Sequence, residues 1–528
     1  RQFDSVPGHK KMKNNKHSIL LNTALTHHNQ GKIDLADKVY VEILSQDPEN
    51  FSANQLHGIA LCQKTKYEDA IPYLEKAYAM DEKNYEVNNN LGLAYKGIRS
   101  FDKSKKYFLN AIKIDSNNFR AYFNYANLLS DNELYDEAIE NMIITSEKKP
   151  DFPDAIQRLG EIYRSKYMID KGNREWLSKA NSCFEKSLQT SPSSVKAHVN
   201  LAMCHLWLNN IDLSTQHFKD GFVHLQSSEK FHSGQWSLEE PKALKTLIKH
   251  EYQQLTYIDN DFDGIRNMKF TQEYYDELQE HYNNILNNNF EMEHVKPGFV
   301  KSLTKVLYNK PPNLCDDYIN KKIDIEEIES IYINGNPELV VIDNFLNPEA
   351  LSNLQKFCRS SNIFKYPYIN GYIGAFLSKG FANKFMLELG EDMRKTFPKI
   401  FEDTVLTQAW AFKYDSVGKG IEVHADQAAV NVNFWIAPED GNMNKNSGGM
   451  RIWNKVPPKS ASFDDYNATK NSKKIRTMLD DHKIDSQTVT HKENRAVIFN
   501  SKLFHVTDDF EFENTYENRR INVTFLYE

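Results

Sequence analysis

The chain lacks the features that mark membrane proteins, disulfide scaffolds and nucleic-acid-binding proteins. No run of about 18 apolar residues occurs in its 528 residues, so neither a transmembrane helix nor a membrane partner is predicted. Its five cysteines form no CxxC pair, which argues against a disulfide framework or a thiolate zinc site and favours a cytoplasmic location. With 65 basic and 72 acidic residues, the net charge of −7 predicts no nucleic-acid partner.

What the chain does have is length and aromatic side chains. Aromatic residues make up 12% of the sequence, with 27 tyrosines and 31 phenylalanines. At roughly 100–200 residues per domain, the length predicts two to four domains. Residues 1–16 carry four lysines and no apolar segment, so we predict a solvated basic tail there.

The front half repeats a pattern of small and aromatic residues about every 34 residues. One copy contains Leu91-Gly92, Tyr95, Ser104, Phe108 and Ala111. A small residue lets two helices approach closely, the later aromatic fills the groove between helix pairs, and a proline ends the second helix. Six copies over 17–226 carry the small residue at Ala24, Gly58, Gly92, Ala126, Gly160 and Ala202.

This pattern resembles the tetratricopeptide repeat family, whose copies read L-G-x2-Y, then A-x3-F, then P. The fifth copy carries about eight extra residues around 165–176. The resemblance implies an α-solenoid whose concave face receives a protein or peptide. Five asparagines fall on the first helices, which line that face in the family, and are either partner contacts or solvated positions: Asn89, Asn90, Asn124, Asn127 and Asn200.

The repeat array contains no predicted catalytic constellation. Its histidines are interpreted as isolated surface or packing residues: His27, His28, His205 and His217. Residues 227–296 lose the repeat register. Amphipathic patterns over 241–257 and 271–287 predict capping and linker helices there, with breaks at Gly234 and at 259–264.

Beyond residue 297 the period changes from helical to strand-like. A strand over 339–343 and a helix over 348–360 precede segments rich in Val, Ile, Phe, Thr and Trp that are separated by turns. Eight such strands favour a double-sheet jelly roll or a barrel, and the whole chain is then a multidomain α + β protein. The predicted strands are 405–415, 420–424, 430–436, 449–453, 487–491, 494–500, 503–507 and 519–527.

Two histidines and one carboxylate in this region have the spacing of a metal site. His424 and Asp426 are two residues apart on an extended segment, and His505 follows 81 residues after His424. Such a triad leaves three open coordination positions, the arrangement of non-haem Fe(II) sites. A second His-x-acid match at 491–493 is disfavoured, because a jelly roll needs several strands between its first and last ligands.

A basic and polar strand near the C-terminus supplies a carboxylate-binding group. In 519–527, alternation places Arg520, Asn522 and Thr524 on one face, while Arg519 shares the opposite face with Ile521. An arginine with polar neighbours on its own face can hold a carboxylate bidentately. We therefore choose Arg520 for this role.

Together these residues resemble the Fe(II)/2-oxoglutarate-dependent dioxygenase superfamily. Its pattern is His-x-Asp, a distal His, then Arg-x-Ser on the last strand of a double-stranded β-helix. The run 448–453 (GGMRIW) is similar to the Gly-Gly-x-Leu strand of the family. Two departures are a longer interval between His505 and Arg520, predicted as a loop at 508–518, and Asn522 in place of Ser.

The resemblance implies a cofactor, cosubstrates and site residues for 297–528. His424, Asp426 and His505 would hold Fe(II) as metal-binding and catalytic residues, with O2 at an open position. Arg520 would pair with the distal carboxylate of 2-oxoglutarate. Candidates to line the pocket, with sheet packing as the alternative role of each, are Tyr414, Asn431, Asn433 and Trp453; Asn522 is expected beside the cosubstrate.

Two functional hypotheses follow. In the first, the repeats recruit a protein or peptide and the C-terminal domain hydroxylates one of its side chains. In the second, the domain is a small-molecule oxygenase and the repeats serve protein–protein assembly alone. A third reading, a scaffold with a silent oxygenase fold, is disfavoured by the intact triad and Arg520.

Overall fold

A computed structural model describes residues 16–228, 240–261, 271–458 and 460–528. The chain divides into two compact units, with the boundary between Thr190 and Ser191. Residues 1–15 of the basic tail predicted at 1–16 lie outside the described residues, as do the break at Gly234 and the end of the predicted break at 262–264. The last residue of that predicted tail, Lys16, instead begins the first helix. Within the described parts, no helix combines the length and the apolar character that crossing a membrane requires.

The first unit consists of helices joined by short turns, and each packs against the next. Three of the first helices are capped by an asparagine side chain that accepts a backbone N–H: Asn50, Asn84 and Asn118. The helices are α1 Lys16–Asn29, α2 Ile33–Gln46, α3 Phe51–Gln63, α4 Tyr67–Met80, α5 Tyr85–Gly97, α6 Phe101–Ile114, α7 Phe119–Asp131, α8 Tyr135–Lys148, α9 Pro153–Ile169 and α10 Glu175–Thr190.

The small residue of each repeat is a point of close helix contact. A Cβ at Gly92 of α5 would lie 2.5 Å from the ring of Phe108 in α6, and Phe108 is fully buried. The same relation joins Gly160 of α9 to Phe184 of α10, where the Cβ would lie 2.6 Å away. The predicted pairing of a small residue with a later aromatic is therefore present in this unit.

The extra residues of the fifth copy lengthen its helices. α9 has 17 residues and α10 has 16, whereas the helices of the two preceding pairs have 13 or 14. The insertion is therefore absorbed as additional helical turn together with the short connection at 170–174.

The second unit begins with a further helix pair and contains the remaining helices. These helices are α11 Val195–Trp207, α12 Ile211–Ser227, α13 Pro241–Asp261, α14 Gln272–Leu286, α15 Pro297–Leu303, α16 Ile325–Asn334, α17 Pro348–Ser360, α18 Lys384–Thr396, α19 Pro398–Phe401, α20 Phe463–Asn467 and α21 Ser472–Asp481.

The strands of the second unit form three antiparallel sheets. A seven-stranded sheet has the order β1-β9-β6-β12-β4-β3-β2, a three-stranded sheet has the order β10-β7-β8, and β11 pairs with β5. The strands are β1 Leu339–Ile342, β2 Tyr366–Tyr368, β3 Tyr372–Phe376, β4 Leu406–Tyr414, β5 Val417–Gly418, β6 Val430–Trp435, β7 Met450–Trp453, β8 Ser486–Val489, β9 Arg495–Asn500, β10 His505–Thr507, β11 Phe510–Glu511 and β12 Ile521–Tyr527.

Seven of the eight strands predicted in the back half are present, and one is not. The segment 420–424 forms only an isolated bridge, between His424 and His505, so predicting a strand there was wrong. β2 and β3 were not predicted. The expected loop at 508–518 also contains β11.

Helices cover one face of the large sheet. Phe525 of β12 points towards α18, where a Cβ at Gly390 would lie 3.4 Å from its ring. The first helix pair of the unit also reaches the sheet, because Trp207 Nε1 donates to the carbonyl of Leu406 at 2.8 Å. The opposite face of β12, which carries Asn522 and Thr524, faces a cavity.

Candidate functional site

The side chains of His424, Asp426 and His505 converge on one point. Nε2 of His424 lies 3.7 Å from one carboxylate oxygen of Asp426, and Nε2 of His505 lies 3.5 Å from the other. One ligand atom from each of the three residues lies within 4.8 Å of the others. A single metal ion can therefore reach all three.

The backbone determines which nitrogen of each histidine faces this point. Nδ1 of His424 donates to the carbonyl of Glu422 at 2.8 Å, and Nδ1 of His505 donates to the carbonyl of Leu503 at 2.9 Å. A proton on each Nδ1 leaves Nε2 with a free lone pair. Both histidines are thus held in the form that binds a metal.

Backbone hydrogen bonds hold the two ligand segments together. His424 and His505 exchange N–H···O bonds of 3.0 and 2.9 Å, and the N–H of Asp426 donates to the carbonyl of Ser501 at 3.1 Å. Gly420 has a positive φ of 66° and the segment 420–424 contains bends, so it pairs with the partner segment at this bridge without forming a strand. The bridge also joins residues that are far apart in the sequence.

Burial and hydrogen bonding set the charges of the triad. Burial, together with the nearby His505, lowers the pKa of His424 to about 4, so this imidazole is neutral near pH 7. Burial opposes ionisation of Asp426, but its interactions with the neighbouring His505 and His424 outweigh burial, and the pKa of Asp426 falls below the ordinary value. Asn431 also donates to this carboxylate, at 3.0 Å.

Arg520 is a buried guanidinium whose hydrogen-bond acceptors are neutral. It donates to the carbonyls of Gly448 and Gly449 at 2.6 and 3.2 Å, and to Oδ1 of Asn522 at 3.3 Å. Its Cζ lies 4.4 Å from the ring centroid of Tyr414. A guanidinium has five N–H donors, more than these three acceptors use, so it can also bind an anion.

Gly449 lets the Arg520 site approach the small sheet. A Cβ at Gly449 would lie 1.8 Å from the carbonyl oxygen of Val489, closer than any side chain allows. The Gly448-Gly449 pair thus brings two carbonyl groups to Arg520, a role that the sequence alone did not reveal.

Arg519 lies on the other side of the sheet. It donates to the carbonyl of Tyr414 at 3.1 Å and forms an ion pair with Asp415 at 3.4 Å, and it also binds Gln253 of α13. The predicted choice of Arg520 over Arg519 therefore agrees with the position of both side chains.

A narrow cavity joins the triad to Arg520. Its walls come from the seven-stranded and the three-stranded sheets, and its free volume is about 30 Å³. Asn433 donates to Thr524 at 3.0 Å within it. Trp435 Nε1, in the same wall, is buried without a hydrogen-bond partner among the described residues. The lining is completed by Trp410, Ile421, Asn431, Met450, Thr507 and Asn522.

A wider cavity of about 720 Å³ opens on the other side of His424 and Asp426. Its walls carry six aromatic side chains and two exposed acidic residues, Glu422 and Glu528, and no lysine or arginine among the described residues. The aromatic residues are Tyr368, Tyr372, Phe376, Trp410, Phe412 and Phe463.

The other predicted pocket residues have different positions. Asn431 and Asn433 line the narrow cavity, and Tyr414 packs against Arg520. Trp453 instead packs against two arginines, with Cζ of Arg451 and of Arg476 at 4.8 and 5.0 Å from its ring centroid. Its role here is therefore packing. Sequence reasoning missed Trp435, whose neighbours in β6 are strand residues with no distinguishing signal.

The candidate asparagines of the first unit bind one another and their neighbours. Asn124 donates to Asn89 at 3.1 Å, and Arg158 donates to Asn127 at 2.7 Å. Asn89, Asn90, Asn124 and Asn127 are buried, so the reading of these four as solvated positions was wrong. Asn200, in the second unit, is also buried.

Comparisons with known proteins identify the repeats. Two family models, both described as tetratricopeptide repeat, match residues 85–118 and 107–140. The N-terminal half contains tetratricopeptide repeats. The prediction of these repeats is confirmed, and such repeats are modules of protein–protein interaction. No curated protein matches the chain.

Several solved structures are similar to part of the chain. The MamA protein is 24% identical over 33% of this chain and 95% of its own, with a TM-score of 0.29. YrrB, described as a TPR protein with an unusual peptide-binding site, is 22% identical over 34% and 88%, with a TM-score of 0.28. The Pseudomonas aeruginosa pilF protein is 13% identical over 40% and 90%, with a TM-score of 0.34.

Proposed function

We propose that the C-terminal part of the chain is an Fe(II)- and 2-oxoglutarate-dependent dioxygenase with a double-stranded β-helix fold. In this proposal it hydroxylates a side chain of a protein or peptide that the tetratricopeptide repeats recruit. The observation that carries the proposal is the pairing of the His424, Asp426 and His505 cluster with the buried guanidinium of Arg520 in one cavity.

The donor set of the cluster suits Fe(II). Two imidazoles and one carboxylate form the two-histidine, one-carboxylate triad that leaves positions open for other ligands. Both Nε2 atoms and the Asp426 carboxylate are already directed towards one point. Bound iron, 2-oxoglutarate and O2 would together supply the oxidising chemistry that hydroxylates the substrate.

The narrow cavity suits a dicarboxylate. Arg520 offers N–H groups to a carboxylate, and Trp435 offers an indole N–H that has no other partner among the described residues. A five-carbon dicarboxylate needs more than about 30 Å³, so the cavity must widen. Met450 in its wall is unbranched and can change rotamer to make room.

The wider cavity would hold the substrate side chain beside the triad. Its aromatic walls would exclude water from the reacting groups. Aromatic faces together with Glu422 and Glu528 favour a neutral or basic side chain over an acidic one. A cavity lined from both sheets also accords with a double-stranded β-helix.

Recruitment of a protein substrate is supported by the repeats themselves. A cytoplasmic location is part of the proposal, because all five cysteines are free of disulfide bonds.

Succinate formation tests the enzyme activity. The full chain, incubated with Fe(II), 2-oxoglutarate and cell extract, should release succinate, and a His424→Ala variant should not. His482→Ala, at an exposed histidine, is the matched control and should behave as wild type. Absence of 2-oxoglutarate binding by the wild type, or equal turnover by His424→Ala, would refute the proposal.

The substrate class is tested separately. An inactive His505→Ala variant should retain its protein substrate for identification by mass spectrometry. Once a substrate is known, removal of 1–190 should abolish recruitment while circular dichroism shows that the remaining chain is folded. Undiminished activity of the folded truncation on that substrate would favour the small-molecule hypothesis, in which the repeats serve assembly alone.

A further inference from the structure

A second cluster of metal-binding side chains lies between α11 and α12. Nδ1 of His198 lies 3.2 Å from Nδ1 of His217, and Asp220 is one turn beyond His217 on α12. One ligand atom from each of the three lies within 4.8 Å of the others. The interpretation of His217 as an isolated histidine was therefore wrong.

His198 occupies a position where two earlier repeats carry asparagine. In α3 and α5, Asn54 and Asn88 each donate to the carbonyl six residues earlier, at 2.9 Å. His198 makes the same contact, because its Nε2 donates to the carbonyl of Pro192 at 3.1 Å. The imidazole of His198 thus makes the same hydrogen bond to the carbonyl six residues earlier, and its second nitrogen, Nδ1, is directed elsewhere.

That second nitrogen is in the form that binds metals. Because Nε2 of His198 donates its proton to the Pro192 carbonyl, the lone pair is on Nδ1, the nitrogen that faces His217. In metal sites, a ligating histidine commonly donates its other ring N–H to a backbone carbonyl, as His198 does here.

The spacing of the two nitrogens matches one tetrahedral ion. Zn²⁺ binds histidine nitrogens at about 2.0–2.1 Å, which places two such ligands about 3.3 Å apart at a tetrahedral angle. The observed Nδ1–Nδ1 separation is 3.2 Å. Asp220 adds a carboxylate, of which one oxygen accepts from Gln216 at 2.9 Å and the other is available.

Neighbouring rings hold the two histidines in place. His205 stacks on His217 with ring planes 3° apart, and His224 stacks on His198 with planes 27° apart. His198 is buried, whereas His217 and Asp220 are half-buried, so an ion can enter from the solvent side.

From these observations we propose that His198, His217 and Asp220 form a Zn²⁺ site with one position open for water. The site is separate from the triad and does not depend on the proposed oxygenase activity. It would link the two helices of the pair α11 and α12 through one ion.

The test measures Zn²⁺ bound to the full chain in a His424→Ala/Asp426→Ala background, which removes the other cluster. After gel filtration, this protein should retain one Zn²⁺ per chain by elemental analysis, and Co²⁺ should give the absorption of a tetrahedral site. Adding His198→Asn should abolish both signals, because asparagine keeps the bond to the Pro192 carbonyl and removes the ligand nitrogen.

Two further variants complete the test. His217→Ala should lose the ion, whereas His482→Ala, at an exposed histidine outside the cluster, should retain it. Circular dichroism checks that each variant is folded. If the background protein binds no Zn²⁺, or if folded His198→Asn binds it equally well, the two histidines form only a hydrogen bond and the proposal is wrong.

Discussion

Arg519 and Arg520 are neighbours in the chain, yet their guanidinium groups lie on opposite sides of the large sheet. Arg520 binds the carbonyls of Gly448 and Gly449 beside the metal-binding cluster, whereas Arg519 pairs with Asp415 and reaches α13. Both are almost completely buried. The pair therefore offers a control for every experiment on cosubstrate binding, since the same residue type can be changed one position away.

Arg520→Gln is expected to weaken 2-oxoglutarate binding. A hydrogen bond to a charged group contributes about 1.5–3 kcal/mol, so the dissociation constant should rise about 10-fold to 100-fold. Isothermal calorimetry with Mn²⁺ in place of Fe(II) measures it. Arg519→Gln should leave the affinity of the folded protein for 2-oxoglutarate unchanged. If Arg519→Gln weakened binding and Arg520→Gln did not, the anion site would belong to Arg519.

Asn431→Leu is expected to weaken metal binding without removing a ligand. The change deletes the hydrogen bond to the Asp426 carboxylate. Loss of a hydrogen bond to a ligating group typically lowers metal affinity about 10-fold to 100-fold. Competition with a chelating dye measures the affinity. Asn433→Leu is the control, because Asn433 donates to Thr524 and not to a ligand; equal affinities in both variants would contradict the role of Asn431.

Gly92→Ala is expected to destabilise the first unit. The new methyl group would lie 2.5 Å from the buried Phe108 ring. Overpacking of this kind costs about 1–3 kcal/mol, whereas alanine gains at most about 1 kcal/mol over glycine in helix propensity. Urea unfolding followed by circular dichroism measures the loss. Gly172→Ala, with no atom within 4 Å of its added Cβ, should be close to neutral.

His491 is expected to make the second unit less stable in mild acid. Burial, and then the charge of Arg520, lower its pKa to about 3, and neither ring nitrogen has a hydrogen-bond partner among the described residues. The unfolded chain binds the proton below about pH 6.5 and the folded chain does not. Stability is therefore complete above pH 6.5 and falls as the pH drops, by about 2 kcal/mol at pH 5.

His491→Leu removes this contribution. The difference in unfolding free energy between pH 7.5 and pH 5, measured with urea, should be smaller in the variant by about 2 kcal/mol. His482→Leu, at an exposed histidine, should retain the wild-type difference. An unchanged pH dependence in His491→Leu would show that this histidine is protonated in the folded chain.

Strong periodicity made much of the fold predictable. β4, β6, β9 and β12 alternate or are continuously apolar because they are buried in the sheet, and the repeats recur because each helix pair needs the same close contact. β2 and β3 were missed because they are short and contain a proline and a glycine, which are typical of turns. The segment before His424 looks like a strand but pairs at a single residue.

The candidate site was predictable where residue type and spacing carried the signal. His424, Asp426 and His505 could be found from chemistry, and Arg520 from strand alternation. The cluster of His198 and His217 could not be predicted, because the two histidines lie 19 residues apart on different helices and neither has a distinguishing sequence signal. Only the packing of α11 on α12 brings them together.

The bond from Trp207 to the Leu406 carbonyl has a consequence for exchanging parts between proteins. The helix pair α11 and α12 reads as a sixth repeat, yet it packs within the same compact unit as the sheet. A chimera that gives this sheet a new set of repeats should therefore join the two sequences between Thr190 and Ser191. A junction after residue 226, where the repeat pattern ends, would remove Trp207 and leave the buried carbonyl of Leu406 without its hydrogen-bond donor.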